Sequence, residues 1–221
     1  MRSYLRHRLR NLLNANQISR YLFQAADKQT ICGIVIGTIA DTEDRRNIIF
    51  DRIATELRLI QSYDGKRFAQ IQRHIKSIFI FGDPTAHGYW HQELQMCELQ
   101  EEFICAETTS VAQIACALVH EATHARLMHV GFGYEEPKRL RIEHICFDDE
   151  RTFARRLPDE IELLKEIEET KSFYGPEHFS DAGRREAALE GLRTLGVPVW
   201  ITWLLAKLTS DRSDTHAKEQ Q

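Results

Sequence analysis

The stretch VAQIACALVHEATHARL, residues 111–127, constrains the chain more than any other. It reads as a helix that is apolar around most of its circumference. Val111, Ile114, Ala115, Leu118, Val119, Ala122 and Ala125 leave no broad polar face, and a helix of that kind is buried. Ser110 and Gln113 mark its start as a capping box, which satisfies free amides in the first turn. Yet the same helix carries His120, Glu121 and His124. Polar groups in a dry interior are costly unless something pairs with them. Whatever fold the chain adopts must bring partners to these three side chains.

Their spacing says what such a partner can be. Residues four apart stand one above the other on a helix face, so His120 and His124 can hold one metal ion through two imidazoles. Glu121 is rotated by about 100°, which puts it beside that ion, where a base acting on an activated water belongs. Cys116 and Ala117, one turn earlier, are small and leave room in front. Cys116 itself reads as a small buried thiol rather than a ligand or nucleophile. His87 and His91 are also four apart, but Gly88 and Pro84 place them in a loop, where that spacing carries no such meaning.

A catalytic zinc site takes three protein ligands and keeps a position for water. The pattern HExxHxxGxxH is excluded, because Leu127 and Val130 stand where its Gly and third His belong. The next helical stretch, about 138–157, offers Glu143 and Glu150, seven apart on one face with Cys146, Phe147, Ala154 and Leu157. Carboxylates on an apolar face call for an explanation. Metal ligation by one, with the other supporting it, provides one. Pairing with Arg141, Arg151, Arg155 and Arg156 is the alternative. Tyr134 and His144, close by in sequence, are candidate donors to a developing oxyanion.

Eighteen residues, 125–142, separate His124 from Glu143. HExxH, that gap and then Glu resembles the pattern of the gluzincin metallopeptidases. Over about residues 70–158 the chain looks most like compact minigluzincins and uncharacterised metallopeptidase families. The resemblance implies zinc (Zn2+) held by His120, His124 and Glu143, with Glu121 as general base. It does not extend to aminopeptidases, since no Gly-x-Met-Glu-Asn motif lies upstream. An Asp found four residues after the ligand Glu in some relatives is Phe147 here, which keeps the choice between Glu143 and Glu150 open.

The remaining chain sets the frame. With 221 residues, 43% hydrophobic and 28% charged, it suits an α+β fold: a mostly helical single domain in which a small sheet precedes the buried helix. A net charge of −4 gives no basis for nucleic-acid binding. Five cysteines without a CxxC pair, and no secretory signal, point to a reducing, cytoplasmic setting. Helices are expected at 4–13, 43–61 (Ile48, Ile49, Ile53, Leu57 and Ile60 inward), 67–75, 159–172 and 181–194. SIFIF at 77–81 and EFICA at 102–106 read as strands, with a loop at 82–90 between them. The run at 31–40 reads as a buried strand or short helix. The organisation expected is an N-terminal helical segment (1–62), a zincin-like core (63–158), C-terminal helices (159–208) and a disordered tail (209–221).

The function that follows is zinc-dependent hydrolysis of amide bonds, with a peptide or protein as substrate and the 102–106 strand as an edge to pair with it. Two alternatives stand beside it: a zinc-binding regulatory or scaffold protein without turnover, and a membrane-surface adaptor using Trp200, Trp203 and the apolar run 197–208. Nothing in the sequence specifies an oligomeric state.

Overall fold

The computed structural model describes residues 15–81, 87–158 and 160–194. The expectations for 4–13, 197–208 and 209–221 lie outside them. Two compact units part between Phe173 and Tyr174. The first opens with α1 (Ala15–Ala25) and the hairpin β1 (Asp27–Ile31) and β2 (Ile34–Thr38). There follow α2 (Glu43–Tyr63), α3 (Gly65–His74), β3 (Ser77–Phe81), β4 (Gly88–His91), β5 (Met96–Gln100), the short α4 (Glu101–Cys105), α5 (Val111–His129), α6 (Glu136–Ala154) and α7 (Glu160–Phe173). The second holds α8 (Pro176–Phe179) and α9 (Asp181–Thr194), the latter capped by Ser180, whose Oγ accepts from the Gly183 amide at 3.0 Å. The architecture is α+β and mostly helical, as expected. Among the described residues no helix is long and apolar enough to cross a membrane.

The sheet has five strands in the order β1-β2-β3-β5-β4. Its centre, β2, β3 and β5, is parallel, and β1 and β4 pair antiparallel at the two edges. Parallel strands are covered on both faces and read as continuous apolar runs, which is what SIFIF and IVIGT are. Residues 31–40 resolve into the hairpin end and β2. Cys32 and Gly33, at φ 52 and 81, form its two-residue turn, the geometry in which both central residues need positive φ. Strands from within 1–62 therefore share one sheet with β3.

Two local expectations are corrected. Residues 102–106 are not a strand: they fall in α4 and the residue after it. Glu101 and Glu102 sit at its first turn, where acidic side chains favour the helix dipole, and Arg45 pairs with both. Only Ile104 of this helix is buried. The strand lies one step earlier, at MCELQ, disguised by a buried Glu98 that His91 Nε2 and Ser19 Oγ each meet at 2.9 Å. The second correction concerns 82–90, read as a loop. Residues 88–91 form β4, the edge strand beside α5.

On α2 the buried stripe is Ile49, Ile53, Glu56, Leu57 and Ile60, while Ile48 is 48% exposed. Helix α5 is held by α2 and α3 on one side and α6 on another, with β4 and β5 against it. A polar clamp fixes the helices. Arg67 of α3 pairs with Asp64 and with Asp149 of α6. Thr123 Oγ1 of α5 donates to Asp149 Oδ2 at 2.8 Å. Arg156 reaches Asp64 at 3.2 Å.

Glu56 has no such arrangement. It is 0% exposed, and neither oxygen has a hydrogen-bond partner among the described residues. Burial pushes its carboxyl well above the ordinary range, and Arg52 offsets only part of this. Arg52 is spent on the carbonyls of Ala106 and Thr109. A carboxyl whose folded pKa is raised stays protonated when the unfolded one ionises, so its stability cost grows as pH rises above the unfolded value of about 4.3. Glu56→Met should therefore stabilise the fold by roughly 1–3 kcal/mol near neutrality. The gain should shrink towards pH 4–5. Urea unfolding at both pH values checks this, and a destabilised variant at neutral pH contradicts it.

Candidate metal centre

The capping box expected at the start of α5 is formed: Gln113 N donates to Ser110 Oγ at 3.1 Å, and Ser110 N donates to Gln113 Oε1 at 2.7 Å. At the other end the chain turns back through Gly131, at φ 89. Phe132 N donates to Leu127 O and Gly131 N to Met128 O, both at 3.0 Å. This is the Schellman arrangement, in which the left-handed residue is glycine because a Cβ is disfavoured there. The turn sends α6 back antiparallel to α5. Leu127 packs with Ile142 and Cys146, and His120 meets Phe147 edge-on at 4.8 Å.

That pairing puts Glu143 in front of both histidines. Its Oε2 is 3.2 Å from His120 Nε2 and its Oε1 is 3.4 Å from His124 Nε2. Glu150, two turns on, meets the opposite side of the first ring: Oε2 lies 3.1 Å from His120 Nδ1. Tyr134 donates its hydroxyl to Glu143 Oε1 and sets its ring edge against His124 at 5.5 Å. His144, about 100° round the helix from Glu143, joins none of these contacts.

The electrostatics follow from the packing. Burial works against the charged form of His120, but its hydrogen bonds to the Glu143 and Glu150 carboxylates outweigh that and raise its pKa well above the ordinary value. Burial likewise opposes ionised Glu143, and the two histidines overturn that, holding it below the usual carboxylate range. Glu121 is also buried, which raises its carboxyl, with His124 and His120 offsetting part of the shift. It faces β4 closely: a Cβ on Gly88 would lie 3.0 Å from both Glu121 Cγ and Oε1.

The donor set fits a zinc ion. Zinc takes imidazole and carboxylate donors, and the two imidazoles each meet one oxygen of Glu143, at 3.2 and 3.4 Å. Glu150 on His120 Nδ1 is the carboxylate–histidine contact that fixes tautomer and ring orientation behind a metal. A second set overlaps the first. One ligand atom each from His120, His124 and Cys146 lie within 4.8 Å of one another.

Of the residues singled out from sequence, His120, His124, Glu143, Glu150 and Tyr134 converge, Glu121 stands beside them against the sheet edge, and His144 stays apart. His87 and His91 do not form a pair: His87 stacks on Phe103 at 4.2 Å, and His91 serves Glu98. Gly88, against Glu121, and Cys146, beside the two histidines, are positions to which the motif gives no part. The signal for Cys146 was present in its place three residues after Glu143 on the same helix face.

No family model matches the chain, and no curated protein or solved structure is significantly similar to it.

Glu143 faces both Nε2 atoms and Glu150 only the back of one ring. Glu143→Ala should accordingly weaken zinc binding more than Glu150→Ala, where loss of a supporting partner costs about 10–100-fold. Competition of each variant against a chelator of known affinity measures the difference. A weaker Glu150→Ala, with Glu143→Ala near wild type, would reverse the two roles.

Proposed function

We propose that this cluster is the metal centre of a zinc-dependent hydrolase that cleaves amide bonds in peptides or proteins. The observation that carries the reading is the convergence of two imidazole nitrogens on one buried carboxylate, at 3.2 and 3.4 Å, with a further glutamate beside them. His120, His124 and Glu143 hold the ion, and Glu150 steadies His120. Tyr134, whose hydroxyl donates to Glu143, orients that carboxylate. Zinc, when bound, acidifies a water and polarises a carbonyl. Glu121 takes the proton of the attacking water and passes it to the leaving amine.

The substrate binds as an extended chain along β4, the strand at the sheet edge beside α5. Backbone hydrogen bonds to such an edge give affinity without demanding particular side chains. This role passes to 88–91 from the 102–106 segment, which is helical. The five cysteines are all unpaired thiols, which supports a reducing, cytoplasmic setting. A zinc-binding scaffold without turnover is the competing reading, and the nearness of Cys146 to the histidines favours it. Glu121 weighs against it, because a metal held only for structure has no use for a buried carboxyl beside it.

Glu121→Gln should keep zinc and fold while peptide hydrolysis falls by about 10²–10⁴-fold, the range for loss of a general base. Zinc-loaded wild type and variant are compared by the release of new N-termini from a mixture of unstructured peptides. Equal turnover in the two removes Glu121 from the mechanism, and a zinc-loaded wild type that cleaves nothing contradicts the hydrolase reading.

A further inference from the structure

Cys146 stands on α6 three residues after Glu143 and four before Glu150, so all three share one helix face. It is 0% exposed. Leu127 and Ile142 pack against it, as they would against any small core residue. Its other neighbours set it apart. The thiol sulfur lies with one nitrogen of His120 and one of His124 in a group no wider than 4.8 Å, and both imidazoles already face the Glu143 carboxylate. The thiol thus stands with the two imidazoles that Glu143 of the same helix also meets.

We propose that Cys146 is a further ligand of the metal centre, completing a two-histidine, one-glutamate, one-cysteine set that forms a resting state of the enzyme. The inference rests on the metal-centre reading above and adds regulation to it. Zinc sites with four protein ligands are closed, whereas catalytic sites keep a position for water. Ligation exchanges the S–H bond of Cys146 for an S–metal bond and releases one proton to solvent. Turnover would need Sγ to take up a proton and free that position for a water. A thiolate also favours zinc over magnesium, calcium or manganese, which prefer oxygen donors.

The test uses the full chain loaded with cobalt(II) in place of zinc. A thiolate ligand gives an intense sulfur-to-cobalt charge-transfer band in the near ultraviolet, which two imidazoles and a carboxylate do not. The wild type should show this band, Cys116→Ala should keep it, and Cys146→Ala should bind cobalt without it. Zinc affinity should fall about tenfold or more in Cys146→Ala, since loss of even a supporting partner costs about 10–100-fold. X-ray absorption of zinc-loaded wild type, which needs no substitution at the buried site, should show one sulfur neighbour. Stoichiometric metal that is lost in His120→Ala, with neither band nor sulfur neighbour, overturns the proposal and leaves the metal centre standing. A wild type that binds neither metal removes the metal centre itself, and the proposal with it.

Discussion

The structure turns on one buried carboxylate. Glu143 lies between two helices with an imidazole nitrogen on each oxygen, and a charge taken out of water is tolerated only when it is paired and hydrogen-bonded. Much of the surrounding fold secures that pairing. The left-handed Gly131 reverses the chain, the Arg67–Asp149–Thr123 clamp fixes α6 against α5, and Leu127, Ile142 and Cys146 close the gap below the site. Burial opposes the charged form of His120, and the two glutamates it faces raise its pKa well above the ordinary value all the same.

The other buried polar groups show how selective this is. Glu98 is satisfied by His91 and Ser19 and ties α1 to the sheet. Glu121 is kept close against Gly88 at the start of an edge strand. Among the described residues Glu56 has no hydrogen-bond partner on either oxygen, and nothing in its surroundings explains why a carboxyl stands there.

Much of this was legible in the sequence because it depends on local rules. The capping box at Ser110, the apolar circumference of α5, the run SIFIF and the seven-residue spacing of Glu143 and Glu150 are all fixed by short-range geometry. What was hidden depends on tertiary partners. MCELQ passed unread because Glu98 breaks its apolar run, and its charge is excused only by His91 and Ser19 from other elements. EFICA has the composition of a strand but lies in a helix that starts at Glu101, where Arg45 reaches both Glu101 and Glu102. Ile48 and Ile49 both belong to the helically spaced apolar set, yet adjacent helical residues point about 100° apart, and only Ile49 is buried. Which glutamate meets which nitrogen of His120 depended on the turn at Gly131, and Cys146 became a candidate ligand only when α6 lay against the two histidines.

The claim at the centre of this account is that His120, His124 and Glu143 surround a metal ion. Anomalous diffraction at the zinc absorption edge, from crystals of protein purified with zinc and without chelator, tests it most directly. The account predicts a single strong anomalous peak about 2.0–2.2 Å from both Nε2 atoms and from a Glu143 oxygen. An ordered site with no peak there, and His120 and His124 still meeting Glu143 directly as a proton-bound cluster, would contradict it.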